Sequence, residues 1–291
     1  MIAKEFLDIL VHPVTKTPLQ YKAGTNELVS TEGDNFRMIE SVPILLSKNE
    51  KDGFDYKDHY QADAVAYDYF EEEPDPISRE EVKRLHENIL SEIPANTNWI
   101  LDVGCGGGWL AKSMTRKGRN VISMDISDIN PVKAVKNYPS ANLFGLVGDV
   151  LELPIKANSI DCIIASEIIE HIVDPKQFLQ QLYNVLRPGG KLIITTPHNE
   201  LIRTSLCIHC NHLTPHNAHL HSFTEQSVRR FFPDNVTSFK TRIFNHKLLV
   251  RARLQKMLSF LPYSLWSIVD NLFIGLNKKA YRLLIVIEKQ A

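Results

Sequence analysis

The stretch of sequence that decides the fold is Trp99-Ile100-Leu101-Asp102-Val103-Gly104-Cys105-Gly106-Gly107-Gly108-Trp109-Leu110. An apolar run leads into a glycine-rich turn and then into residues that favour a helix. Glycines let a backbone approach a ligand closely, and the N–H groups at the start of the following helix face that ligand. The stretch therefore predicts a strand, a turn and a helix that together bind a ligand.

The spacing of the glycines indicates the kind of ligand. A dinucleotide fingerprint, G-x-G-x-x-G, would need glycine at position 109, where this sequence has Trp109. The observed spacing is instead D-x-G-x-G-x-G, through Asp102, Gly104, Gly106 and Gly108. Because an acid in front of the glycines would repel a pyrophosphate, the spacing favours a cationic or zwitterionic ligand over a diphosphate.

Two further acids follow predicted strands. Asp125 ends the run that starts at Val121 and lies 21 residues beyond Gly104, where a carboxylate can accept both hydroxyls of a ribose. Asp149 follows the next strand, and its side chain together with the N–H of Val150 can read an adenine edge. The three elements together predict a nucleoside that carries a charged tail without phosphate.

These elements, followed by the segment Leu186-Arg187-Pro188-Gly189-Gly190-Lys191, closely resemble the class I S-adenosylmethionine (SAM)-dependent methyltransferases over about residues 55–290. The resemblance implies an α/β fold, a Rossmann-like seven-stranded methyltransferase sheet with its last strand antiparallel. It also implies a SAM-dependent methyltransferase activity, with SAM lying across the carboxyl ends of the strands. In this resemblance Asp102 and the glycine turn serve the methionine end, Asp125 the ribose, and Asp149 with Val150 the adenine. The implied cofactor-binding set is Asp102, Gly104, Cys105, Gly106, Gly108, Asp125, Ile126, Asp149, Val150 and Ser166.

The chain divides into three predicted parts. Apolar runs alternate with helical segments from Trp99 onward, which is typical of a parallel α/β sheet. We therefore expect a methyltransferase domain over 99–291, with a basic apolar insertion at about 246–280. Residues 49–98 are expected to form an acidic helical lead-in, whose charges are either a solvated face or part of a cofactor cap. The tyrosines of that cap would be Tyr56, Tyr60, Tyr67 and Tyr69.

Residues 1–48 are predicted to form a small domain of their own. They resemble the zinc-ribbon-like domains of the Trm112 type, which carry a Cys-Pro-x-Cys knuckle and end in an Ile-Pro-Val-Leu-Leu run. Here the final run is Val42-Pro43-Ile44-Leu45-Leu46, but His12, Thr15 and Ser30 stand at the cysteine positions. We therefore expect a Trm112-like domain without zinc that covers one flank of the main domain.

A group of acids and histidines follows the fourth predicted strand of the main domain. In a helix, Glu167, Glu170 and His171 would share one face, and they would suit Mg²⁺ or another divalent metal. The E-x-x-E-H pattern resembles metal-dependent O-methyltransferases of ubiquinone biosynthesis and small-RNA 2′-O-methyltransferases, and the latter imply His221, in His-Ser-Phe, as a further ligand. The alternative is that this turn only lines the methionine pocket. His171, His221 or His198 is then the candidate catalytic base.

The four cysteines are too few and too unevenly placed for a disulfide scaffold. They indicate a reducing compartment, and we expect a cytoplasmic protein that could also lie at the membrane periphery. Cys207 and Cys210 form a Cys-x-x-Cys pair with histidines nearby, which suits Zn²⁺. Reduced thiols in a surface loop are the equal alternative.

The charge of the chain is balanced overall but uneven along its length. The 291 residues include 33 Lys and Arg and 34 Asp and Glu, so no field of the whole protein attracts nucleic acid or an anionic membrane. Residues 50–92 contain 14 acidic and 5 basic side chains, whereas residues 245–280 contain 6 basic and 1 acidic. The balanced total therefore hides one acidic and one basic segment, and each differs in charge from the remainder of the chain.

The basic segment contains apolar residues at helical spacing, and two interpretations stay open. It forms helices packed on the domain or a homodimer face, or residues 248–277 form an amphipathic lid that lies on a membrane. Pro262, Asp270 and Asn271 interrupt the apolar run, so a membrane span is not expected.

The predicted function is SAM-dependent O-methylation of a small-molecule or lipid-like acceptor. RNA methylation is a weaker alternative, since the knuckle cysteines are missing and the acidic segment lies beside the predicted cofactor domain. An alternative of another class is a SAM-binding scaffold protein without turnover.

Overall fold

The structure is a computed structural model that describes residues 2–47, 56–206 and 211–290. The N-terminal unit contains a short helix and four strands: α1 Lys4–Leu7, β1 Leu19–Lys22, β2 Glu27–Ser30, β3 Asn35–Ile39 and β4 Val42–Leu45. Two helices precede the central region: α2 Tyr56–Ala66 and α3 Pro76–Leu90.

Strands and helices then alternate, except that only a 3₁₀ turn, Val150–Glu152, separates β7 from β8. The central elements are β5 Trp99–Val103, α4 Trp109–Met114, β6 Asn120–Asp125, α5 Ile129–Asn137, β7 Leu143–Gly148, β8 Ile160–Ser166, α6 Pro175–Val185 and β9 Leu186–Pro197. The last part contains β10 Thr204–Leu206, β11 Leu213–Pro215, β12 Ser238–His246, α7 Lys247–Arg251, α8 Leu254–Met257, α9 Tyr263–Asn277 and β13 Ala280–Glu288.

In the described part of the chain, eleven strands form one mixed sheet in the order β1-β2-β3-β4-β7-β6-β5-β8-β9-β13-β12. The seven strands from β7 to β12 correspond to the predicted Rossmann-like methyltransferase sheet. β13 is antiparallel to both of its neighbours, as the resemblance implied. The prediction of seven strands is too small for the whole sheet, because the N-terminal strands extend it.

The central strands are apolar because both of their faces are covered. Ile100, Leu101, Ile163 and Ile164 are fully buried, although neighbouring residues of a strand point to opposite faces. Two apolar clusters accordingly lie on the two sides of the sheet. This arrangement fixes the strand ends, where the candidate site lies.

The N-terminal unit joins the main sheet through β4. Ile44 and Leu45 pair in parallel with Val147 and Gly148 of β7. Phe6 also stacks on Phe144, with ring centroids 4.9 Å apart. The backbone of the unit therefore continues the sheet of the central region.

The predicted knuckle position is held by a histidine. Nδ1 of His12 accepts hydrogen bonds from the backbone N–H groups of Val14 (3.2 Å) and Thr15 (3.0 Å). Its Nε2 lies 3.3 Å from a carboxylate oxygen of Asp34. The imidazole thus closes the turn with hydrogen bonds at a position where the resembling domains carry a cysteine.

The basic segment, here called the insertion and defined as Lys247–Lys279, packs against α3. The Arg84 guanidinium is fully buried and forms ion pairs with Glu80 (2.7 Å) and Glu87 (2.8 Å). It also donates hydrogen bonds to the carbonyls of Leu258 (3.3 Å) and Leu261 (3.2 Å). Among the described residues, no helix combines the length and the apolar character needed to cross a membrane.

Substitution of Arg84 by Met is expected to lower the free energy of unfolding by about 3 kcal/mol, because it leaves a buried carboxylate and several carbonyls without their partner. Lys83→Met is the matched control. Lys83 also pairs with Glu80, but its side chain is 46% exposed, so its loss should cost less than about 1 kcal/mol. Urea denaturation measures both, and equal losses in the two variants would contradict this role of Arg84.

Candidate active site

Three acids meet at the carboxyl edge of the central strands. β5, β6 and β7 run parallel and side by side, so the ends of these strands lie at one edge of the sheet. Asp102 lies in β5, Asp125 ends β6, and Asp149 directly follows β7. Asp102 and Asp149 are 2% and 1% exposed. The sequence-predicted acids are therefore brought together at one buried edge of the sheet.

The glycine turn wraps this edge. Gly104 and Gly106 have φ angles of 65° and 44°, which side chains with a Cβ rarely adopt. Between them, the N–H of Cys105 donates to the carbonyl of Met124 at the end of β6 (3.0 Å). The turn then leads into α4, which starts at Trp109.

Asp102 is a buried acid whose charge is not compensated. Its Oδ2 has no hydrogen-bond partner among the described residues. Burial, together with the neighbouring Asp125, raises the pKa of Asp102 to about 8. An ammonium or another hydrogen-bond donor on a ligand would supply the missing partner, which fits the methionine end of SAM.

The other two acids have partners that orient them. Asp125 accepts hydrogen bonds from the N–H of Ser127 (3.0 Å) and from the side-chain amide of Asn130 (3.1 Å). Burial still raises the pKa of Asp125. Asp149 accepts from the N–H of Leu151 (2.9 Å) and from the hydroxyl of Tyr56.

The remaining predicted cofactor residues lie next to these acids in the chain or at the end of a neighbouring strand. Ile126 follows Asp125, Val150 follows Asp149, and Ser166 ends β8. The hydroxyl of Ser166 lies 3.0 Å from that of Thr195 on the neighbouring strand.

Residues of the lead-in contact the glycine turn and the strand ends. Besides the contact of Tyr56 with Asp149, the side chain of Gln61 donates to Asp128 (2.9 Å) beyond the end of β6. A Cβ at Gly107 would collide with the carbonyl oxygen of Tyr69. These contacts place Tyr56, Gln61 and Tyr69 against the edge of the sheet that holds the three acids.

The E-x-x-E-H segment is not the helix that would place its three residues on one face. Glu167 has a φ of 57°, and a single 3₁₀ turn spans Ile169–His171. Glu167 forms an ion pair with Arg282 (3.1 Å). Arg282 also lies 3.6 Å from Glu81 of α3.

Glu170 and His171 instead form a cluster with His219, a residue that the sequence analysis did not select. One ligand atom from each lies within 4.8 Å of the others. Glu170 is 1% exposed; its Oε2 accepts from the hydroxyl of Thr196 (3.0 Å), whereas Oε1 has no partner among the described residues. Burial and the nearby Glu167 raise the pKa of Glu170.

The two histidines of this cluster are oriented by their Nδ1 atoms. Nδ1 of His171 lies 3.3 Å from the carbonyl of Ala218, and Nδ1 of His219 lies 2.5 Å from a carboxylate oxygen of Glu200. Burial lowers the pKa of His171 to about 4, so its imidazole is neutral at pH 7. A neutral imidazole with one oriented nitrogen is a suitable metal ligand.

The side chains of the other two histidine candidates are not part of this cluster. The ring of His221 contacts Phe223 and Phe231, and its buried Nε2 has no partner among the residues described. His198 is paired with Glu225 at 2.8 Å. Cys207 and Cys210, the candidate zinc ligands, lie outside the described residues.

Comparison with known proteins identifies part of this fold. Residues 101–194 match the family model of the methyltransferase domain. The matched region contains the glycine turn, all three acids and the Glu170–His171 pair.

Part of the chain also resembles individual proteins. Over 110 residues it is 36% identical to the mitochondrial ubiquinone biosynthesis O-methyltransferase of Bos taurus, covering 33% of this chain and 28% of that protein. With the ubiquinone biosynthesis O-methyltransferase of Parvibaculum lavamentivorans it shares 35% identity over 105 residues, which are 35% of this chain and 41% of that protein. The chain thus spans less than half the length of these curated relatives.

Solved structures show the fold alone. The [4+2]-cyclase SpnF is 15% identical, with a TM-score of 0.52, over 81% of this chain and 93% of that one. One chain of a Haloferax volcanii complex that contains the Trm112 methyltransferase activator is 16% identical, with a TM-score of 0.51, over 74% of this chain and 94% of that one. The fold is therefore the α/β Rossmann-like methyltransferase fold.

The raised pKa of Asp102 predicts a pH-dependent stability difference. Between about pH 5 and pH 7 the native carboxyl holds a proton that the unfolded chain has lost, so Asp102 lowers the free energy of unfolding by roughly 1 kcal/mol per pH unit as pH rises. Asp102→Asn cannot titrate and should gain stability relative to wild type over this range. Urea denaturation at several pH values measures the difference, and parallel profiles would contradict it.

Proposed function

We propose that this chain is a SAM-dependent methyltransferase. The observation that carries the proposal is the buried Asp102 carboxylate, with one unpartnered oxygen, at the strand edge that also holds Asp125 and Asp149. Asp102 and the glycine turn would hold the methionine end, Asp125 the ribose hydroxyls, and Asp149 with Val150 the adenine. The other residues proposed to line the cofactor are Gly104, Cys105, Gly106, Gly108, Ile126 and Ser166.

The chain's own residues would catalyse by positioning. When bound, SAM supplies a methyl group on a positively charged sulfur, so the transfer needs an acceptor aligned with the carbon–sulfur bond. The glycine turn and the acids would fix the cofactor, while the lead-in around Tyr56 and Tyr69 would exclude water. If no metal ion is bound, His171 is the candidate base that would remove a proton from the acceptor.

We propose further that Glu170, His171 and His219 hold a divalent metal ion. This set replaces the sequence-derived one, since Glu167 is engaged by Arg282 and the ring of His221 packs on phenylalanines. The unpartnered Oε1 of Glu170 and the two oriented imidazoles support the fit. One carboxylate and two imidazoles suit a first-row ion, which would lower the pKa of an acceptor hydroxyl.

The proposed acceptor is a small or lipid-like molecule with a hydroxyl group. The relatives named in ubiquinone biosynthesis and the metal cluster support oxygen as the methylated atom. RNA methylation stays the weaker alternative because the lead-in is strongly acidic. A SAM-binding scaffold also stays open, since the fold is shared with a protein named as a cyclase.

The N-terminal unit, residues 1–48, is proposed to be a Trm112-like domain in which hydrogen bonds of His12 replace a zinc knuckle. Its parallel pairing with β7 supports a role in stabilising the cofactor edge, because Asp149 directly follows that strand. Residues 49–98 would be the cofactor cap and 99–291 the catalytic domain. A cytoplasmic location is proposed from the buried free thiols of Cys105 and Cys162.

Calorimetric titration should show that the protein binds SAM and S-adenosylhomocysteine. Asp102→Asn should weaken SAM binding about tenfold or more, since it removes the partner of the ammonium. The matched control is Asp234→Asn, because Asp234 is exposed and is not among the proposed cofactor residues. Absence of binding by wild type would contradict the cofactor assignment.

Turnover is tested separately with SAM labelled in its methyl group and fractionated cell extract. We expect label in the small-molecule or lipid pool. Label in RNA would favour the RNA alternative, and SAM binding without any transfer would favour the scaffold alternative.

The metal proposal predicts that His219→Ala lowers Mn²⁺ affinity by tenfold or more, whereas His221→Ala leaves it nearly unchanged. Mn²⁺ is the suitable probe because thiolates such as those of Cys207 and Cys210 prefer softer ions. Calorimetry or electron paramagnetic resonance measures binding. Loss of affinity in His221→Ala alone, or no binding by wild type, would contradict the proposed ligand set.

A further inference from the structure

The outer face of α9 is apolar and uncovered. Leu265, Ile268, Leu272 and Leu276 are 50%, 56%, 67% and 79% exposed. Their spacing of three and four residues places them along one side of the helix. A continuous apolar stripe on a surface helix marks a contact with another apolar phase or partner.

The same surface continues into the residues that precede α9. Phe260 is 78% exposed at the turn before the helix, and Met257 is 69% exposed at the end of α8. Leu248 in α7 is 52% exposed. The insertion therefore presents several large apolar side chains at once, and one of them is aromatic.

Every exposed charge of the insertion is positive. The exposed basic residues lie on both sides of the apolar stripe in the chain: Arg251, Arg253, Lys256, Lys278 and Lys279. The one acid of the insertion, Asp270, is 1% exposed. It accepts hydrogen bonds from the backbone N–H groups of Asn245 (2.9 Å) and His246 (2.7 Å). Its negative charge therefore faces the protein interior.

The inner face of α9 packs against α3, and these contacts fix which side of α9 faces outward. Trp266 is fully buried, and the Arg84 guanidinium lies 5.1 Å from its ring. Tyr263 donates a hydrogen bond to Asn88 of α3 (3.1 Å). With its polar and aromatic anchors turned inward, α9 holds the leucines and Ile268 toward the outside.

We propose that this face of the insertion docks the protein on a membrane surface that contains anionic lipids. An apolar stripe between basic residues is the pattern of helices that lie in the bilayer interface. At 15 residues, α9 is about 22 Å long, which is shorter than the roughly 30 Å hydrocarbon core of a bilayer. The helix would therefore lie along the membrane surface and would not cross the bilayer. A symmetric contact between two copies would instead bring like charges together.

The test is flotation of the full-length protein with vesicles of phosphatidylcholine alone or with phosphatidylglycerol. Wild type is expected to bind the mixed vesicles, more weakly at high salt, and to bind phosphatidylcholine at least tenfold less. Ile268→Ser with Leu272→Ser should reduce binding more than tenfold. Lys278→Glu with Lys279→Glu, which leaves the apolar stripe intact, should reduce it by a similar factor.

Val14→Ser is the matched control, since Val14 is 46% exposed in the N-terminal unit and should bind vesicles like wild type. No binding of wild type to mixed vesicles would overturn the proposal, as would unchanged binding of both double variants. A lipid-free dimer that dissociates in Ile268→Ser with Leu272→Ser would also overturn it, because a second copy would then cover the face. The assay needs neither SAM nor an acceptor, so its failure is distinguishable from failure of the proposed function.

Discussion

Parallel pairing of β5, β6 and β7 is the constraint on which the candidate site depends. It brings Asp102, Asp125 and Asp149 to one edge of a sheet whose two faces are already covered. Burial of these acids is unfavourable, as the raised pKa values of Asp102 and Asp125 show. Asp125 and Asp149 are partly compensated by hydrogen bonds, whereas one oxygen of Asp102 has none among the described residues. The hydrogen bonds offset part of the cost of burying these acids. A ligand that carries hydrogen-bond donors would supply the partner that Asp102 lacks.

The central strands could be predicted because their signals are local. A strand buried on both faces reads as an uninterrupted apolar run, and the runs of β5, β6 and β7 end at an acid or a glycine. Strand β5, Trp99–Val103, is the apolar run that leads into the glycine turn. The glycine spacing likewise identified the turn, since positive φ angles at Gly104 and Gly106 depend mainly on the residue type.

The features that sequence reasoning missed depend on distant contacts. The pairing of β4 with β7 depends on backbone hydrogen bonds, which form with almost any side chain. The sequence of residues 1–48 therefore did not indicate that they extend the main sheet. Glu167 departs from helical geometry beside Arg282, which lies 115 residues later in the chain. His219 reaches Glu170 through the loop after β11. The density of histidines around 212–221 was the one local signal for it.

Helix α3, part of the acidic segment, contacts both the basic insertion and Arg282 of β13. Arg84 holds the insertion through the carbonyls of Leu258 and Leu261, and Glu81, one turn earlier, faces Arg282. Arg282 in turn forms an ion pair with Glu167 beside the proposed metal cluster. One helix therefore contacts both the segment proposed to dock on a membrane and the residues next to the proposed acceptor side. Since Ile268 and Leu272 lie on the opposite, outer face of the insertion, membrane contact and site geometry can be altered independently, whereas a change at Arg84 affects both.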